Sequence, residues 1–108
     1  MDAQGRSDLC EAVLAALRPV GLAGRVRARL LRGGMTVRQV LDALPAEGRP
    51  APGPLAGVAA EQHALEQVRR ALEDLVVDGR VRRERARLRY TLNTKGSRLF
   101  EVDVYRLA

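Results

Sequence analysis

The 108-residue sequence predicts a single, mainly α-helical domain that ends in a small β-hairpin. Three observations carry this. Four segments repeat apolar residues at helical spacing, and Gly79 stops the last of them. From Arg87 to Leu92 the pattern then switches to strict alternation. A chain of this length buries roughly 65% of its unfolded surface, and 46% apolar residues suffice for a core. That core must be built of Leu, Val and Ala, because Tyr90, Phe100 and Tyr105 are the only aromatics.

The first helix is expected over 7–18, "SDLCEAVLAALR". Leu9, Cys10, Val13, Leu14 and Leu17 form its stripe, Ser7 is a suitable N-cap, and Asp8 and Glu11 suit the positive first turn. Pro19 and Gly21 end it. A second helix over 22–32 turns Leu22, Val26 and Leu30 inward and Arg25, Arg29 and Arg32 outward, before Gly33-Gly34. The third, 36–44, opens on Thr36 with Gln39 three residues later, the reciprocal capping-box arrangement. Val37, Val40, Leu41 and Leu44 are its buried stripe. Residues 45–57, "PAEGRPAPGPLAG", hold four of the five prolines and read as a loop.

The fourth helix, 59–78, is the longest. Leu65, Val68, Leu72, Leu75 and Val76 share one face, His63, Glu66, Gln67, Arg70 and Asp74 the opposite one, and Gly79 stands where a C′ glycine belongs. Residues 80–92, "RVRRERARLRYTL", then read as a hairpin with its turn near Arg85-Ala86. Arg82, Arg87 and Arg89 are expected to project away from the face of Val81, Leu88 and Tyr90. A helix competes, because Val81, Leu88 and Leu92 also fall at i, i+7 and i+11; the stop at Gly79 and the strand-prone Tyr90-Thr91 favour the hairpin. Beyond it, Thr94 can cap a short helix through Phe100, or "FEVDVYRL" can form a strand.

Charge is unevenly placed. Residues 79–98 hold eight basic residues against Glu84 alone, a net +7, while the remaining 11 basic and 12 acidic residues sum to −1. Such asymmetry points to a polyanionic partner. One cysteine, Cys10, excludes an internal disulfide and a cysteine-based zinc site, and one histidine, His63, has no nucleophile motif around it. No enzyme, metal or cofactor is expected. No apolar run reaches the ~20 residues of a membrane span, and "MDAQGRSDLCE" lacks a signal peptide's apolar stretch. A cytoplasmic protein is expected.

The order of helices, capped short helix, long helix and basic hairpin resembles the winged helix-turn-helix domain. "VRRALEDLVVDGRVRRE" (Val68 to Glu84) is similar to the phrase in which a recognition helix turns into the wing. "YTLNTKG" (Tyr90 to Gly96) resembles the wing-closing Tyr-x-Leu-Thr-x-x-Gly of bacterial regulators of the MarR and PadR type, with Asn93 in place of the Thr. The resemblance covers about residues 22–100, with 7–18 as an extra N-terminal helix. Its one departure is the long 45–57 loop between the two helices of the pair.

The resemblance implies double-stranded DNA as partner, a role in transcription regulation, helix 59–78 in the major groove and the wing on the backbone. His63, Gln67 and Arg70 are then the candidates for base edges, since Gln suits adenine and Arg suits guanine. Arg82, Arg83, Arg85, Arg87 and Arg89 are the candidates for phosphates, with Arg38 at a helix N-terminus as an addition. The stripe of helix 7–18 either packs within the chain or pairs two copies into a homodimer. The alternative is a winged-helix assembly module whose basic hairpin meets an acidic protein partner. An RNA or single-strand binder is disfavoured by scarce aromatics.

Overall fold

The computed structural model describes residues 3–18, 34–50, 54–92 and 96–108, with side chains except at 3–4, 88–92 and 96–100. Its elements are α1 (Ala3–Leu17), α2 (Val37–Ala43), a 3-10 turn (Ala46–Gly48), α3 (Gly57–Val77), β1 (Val81–Leu92) and β2 (Gly96–Leu107). The helix expected over 22–32 lies outside the described residues.

The local signals act as expected where they are short-ranged. Thr36 Oγ1 accepts from the Gln39 amide at 3.2 Å, and Gln39 Oε1 accepts from the Thr36 amide at 3.0 Å, completing the capping box. Gly79 takes φ +77. Around it the Arg80 amide donates to Leu75 O and the Gly79 amide to Val76 O, both at 3.0 Å, the Schellman pattern. The start of the 45–57 loop is tied down. Arg49 Nε donates to Leu44 O at 3.2 Å, and Pro50 is buried.

Two expectations for the helices change. α1 begins a turn earlier than Ser7, which is therefore an interior residue and not a cap. Its first turn gains a tertiary partner, as Arg6 Nη1 meets Asp74 Oδ2 of α3 at 2.8 Å. The α1 stripe is spent inside the chain. Leu9, Val13, Leu14 and Leu17 are buried in one core with α2 and with Val68, Leu72 and Leu75 of α3. Of the two uses expected for this stripe, packing within the chain is the one observed.

The hairpin is larger than expected and differently folded. β1 runs unbroken from Val81 to Leu92, with no turn at Arg85-Ala86, and pairs antiparallel with β2 in a register from Val81↔Leu107 to Leu92↔Gly96. Of the two readings of the segment beyond it, the strand is the one formed, as β2, while Thr94 lies outside the described residues. An unbroken β1 also changes the faces. Arg82 and Arg87 are an odd number of residues apart, so they lie on opposite faces, while Val81 shares its face with Arg87. Met35 adds an unexpected bridge to the far edge of β2. Its amide donates to Tyr105 O and the Tyr105 amide to Met35 O, each at 2.8 Å.

Candidate nucleic-acid interface

One face of the hairpin changes character along its length. At the base Val81 and Tyr105 are buried in the helical core. Further out the same face carries Arg83, Arg85 and Arg87 on β1, directly across from Tyr105, Asp103 and Glu101 on β2. Alternate residues of a strand stand roughly 6.7 Å apart, so the three arginines form a row leading away from the helices.

Each arginine of the row meets carboxylate. Arg83 Nη1 lies 2.9 Å from Glu73 Oε1 of α3, and the same oxygen accepts from Tyr105 Oη at 2.7 Å. This buried hydroxyl and the guanidinium hold the Glu73 carboxyl below its usual range, while burial and that carboxylate push the Tyr105 phenol up to about 12. Arg85 lies 3.3 Å from Glu101 and 3.3 Å from Asp103, and Arg87 lies 3.6 Å from Glu101. On the other face Arg82 is exposed and has no ion pair among the described residues, while its cross-strand neighbour Arg106 pairs with Glu84 at 2.7 Å. Arg89 stands opposite Leu99 in the ladder, and its side chain lies outside the description. Residues 80–107 carry nine basic and three acidic residues. Their net +6 equals the charge of the whole chain, so the β2 carboxylates do not cancel the excess.

The exposed face of α3 is built around Glu66. Arg69 donates to both its oxygens, at 2.6 and 3.0 Å, and Arg70 Nε donates at 3.1 Å. These guanidiniums, Arg69 first, lower the Glu66 carboxyl to about 2. Arg70 is thus exposed as expected, and Arg69 beside it is a second exposed cation. Arg38 pairs with Glu61 across α2 and α3, and that bond raises the guanidinium and lowers the carboxyl.

Gln67 does not stand on the outer face. It is buried, and its Oε1 has no hydrogen-bond partner among the described residues. Ala71, one turn further along α3, is buried as well, with Cys10 Sγ of α1 lying 4.0 Å from its carbonyl oxygen, and Arg6 of α1 pairs with the exposed Asp74 beyond it. Gln67 therefore does not present its amide on the outer face where a base edge could meet it. His63 is half-buried. Cys10 is half-buried too, and burial pushes its thiol up from the ordinary value, which disfavours a reactive thiolate.

The signal for the row was present in the sequence. Glu101 and Asp103 alternate at period two as Arg85 and Arg87 do, and the pairing of "FEVDVYRL" with the basic segment places them opposite. Among the described residues no group of three His, Cys, Asp or Glu is placed to hold a metal, and no helix is long and apolar enough to cross a membrane. No family model, no curated protein and no solved structure matches the chain.

Proposed function

We propose that this protein is a cytoplasmic double-stranded-DNA-binding module of winged-helix type that acts in transcription regulation. The observation that carries the reading is the row Arg83–Arg85–Arg87 on a hairpin of net +6. Guanidiniums at strand spacing on an exposed ribbon suit a chain of phosphates, and each phosphate neutralised releases counterions. The arrangement of elements supports the same reading. Met35 precedes the capped α2 and forms an isolated antiparallel bridge to Tyr105, which ties the start of α2 to the free edge of β2. α3 then faces the groove with Arg69 and Arg70.

A second reading rests on a specific observation. Arg83, Arg85 and Arg87 already accept carboxylates as partners, so an acidic protein surface is chemically compatible with the same row.

A titration of random duplex DNA, single-stranded DNA and RNA at several salt concentrations separates the two. Duplex binding is expected, with a log–log salt slope implying about four or more phosphates. Replacing Arg85 and Arg87 together with Ala flattens that slope by about 2. Absence of duplex binding at about 50 mM salt sinks the DNA reading and leaves the assembly module.

A further inference from the structure

We infer that Glu101, backed by Asp103, is a built-in competitor for phosphate on the hairpin, so that Arg85 and Arg87 exchange this carboxylate for the DNA backbone when they bind. The inference rests on the DNA reading above and names what sets the affinity of that surface.

The geometry is that of a carboxylate sitting in an anion's place. Glu101 stands directly across from Arg87, and Asp103 from Arg85. Glu101 sends Oε2 to Arg85 Nη1 at 3.3 Å and Oε1 toward Arg87 Nε at 3.6 Å, so one carboxylate spans two neighbouring guanidiniums. A phosphate that bridges the same two arginines needs the position that Glu101 fills.

Exposure and distance show which pairs can exchange. The Arg85, Arg87 and Glu101 side chains are 69%, 74% and 51% exposed, and their contacts are long for charge-assisted hydrogen bonds. Exposed pairs of this kind hold weakly, and water or phosphate replaces them readily. Arg83 is the contrast on the same face. Its partner Glu73 is only 30% exposed and is shared with the buried Tyr105 hydroxyl at 2.7 Å. The row therefore divides into a fixed member at the base, Arg83, and two exchangeable members further out.

The competitor makes binding weaker than the arginines alone provide, and the sign of a substitution follows. Glu101→Gln removes the competing charge, keeps the size of the side chain and leaves both guanidiniums free for phosphate. Duplex affinity at fixed salt is expected to rise about fivefold, the upper range for an exposed ion pair. The log–log salt slope is expected to stay close to that of wild type, because the same two arginines engage phosphate in both proteins. Glu47→Gln makes the same change in net charge at an exposed residue remote from the hairpin, and serves as control.

The test measures random duplex DNA against the full chain at several salt concentrations, for wild type, Glu101→Gln, Glu47→Gln, the pair Arg85→Ala with Arg87→Ala, and that pair combined with Glu101→Gln. Thermal unfolding followed by circular dichroism verifies that each variant folds. The inference stands if Glu101→Gln tightens binding well beyond Glu47→Gln and the gain vanishes without the two arginines. A gain that survives their removal, or equals that of Glu47→Gln, is a charge effect at long range and overturns it. Weaker binding by Glu101→Gln overturns it as well, because the carboxylate then orients the arginines rather than competing with phosphate. Wild type that binds duplex while Glu101→Gln gains nothing overturns this inference alone, whereas wild type that binds no duplex overturns the DNA reading and this with it.

Discussion

Tyr105 joins three parts of the molecule, and removing its hydroxyl measures the bond that aligns them. Its ring is buried at 1% exposure, its backbone bridges Met35, and its hydroxyl donates to Glu73 of α3 at 2.7 Å. A hydrogen bond to a charged acceptor contributes roughly 1.5–3 kcal/mol. Glu73 keeps Arg83 as a second donor and is 30% exposed, so the lower end applies. Tyr105→Phe is therefore expected to cost about 1.5 kcal/mol, a fall in Tm of about 6 °C for a domain of this size. Urea unfolding at pH 7 of wild type, Tyr105→Phe, Glu73→Ala and the double variant gives the coupling directly, expected at about 1 kcal/mol. A loss below about 0.3 kcal/mol, or an equal loss when Glu73 is already absent, refutes the alignment role.

The two titrations give this bond a pH signature. Glu73 is lowered from 4.5, chiefly by the Tyr105 hydroxyl, so its stabilisation is present above 4.5 and is lost as pH falls through the depressed folded value. Tyr105 is raised from 10.0 to about 12, so its share is complete below 10.0 and is lost as pH rises from there to about 12. The stability gap between wild type and Tyr105→Phe should narrow at both extremes.

Two further outcomes test the helix ends. Gly79→Ala is expected to destabilise by about 1 kcal/mol through the backbone alone, since φ is +77 and an added Cβ meets nothing within 4 Å; an unchanged urea midpoint contradicts the left-handed cap. Thr36→Ala removes the acceptor for the Gln39 amide and should lower stability by about 1 kcal/mol in the same assay, with Thr36→Asn retaining most of it.

The placement of side chains departs from the sequence expectation where the decisive contact joins distant parts of the chain. The basic segment is visible as charge, yet its faces depend on where the chain reverses. Neither Arg85 nor Ala86 carries a turn signal, and the continuous ladder to β2 decides the matter. A turn at Arg85-Ala86 would set Arg82 beside Arg87, whereas the unbroken strand sets the two on opposite faces. Gln67 departs for a related reason. A single apolar stripe on α3 describes one buried side, but Gln67 and Ala71 beside it are buried too, and the contact of Cys10 with Ala71 O joins residues 61 apart in the chain.

The sequence by itself determined what a few neighbouring residues can settle. Thr36 with Gln39, Gly79 after Val76, and the recurrence of Val68, Leu72 and Leu75 act through interactions within a turn or two, so local pattern suffices. It also determined that the excess positive charge sits in residues 79–98. The tertiary structure decided how that charge is presented. Strand register put Glu101 and Asp103 against Arg85 and Arg87, and the fold carried Glu73 to Arg83 and Tyr105. Pairing across a hairpin and packing of a helix on a sheet are set by the summed burial and hydrogen bonding of whole elements, and no short stretch of the chain encodes that sum.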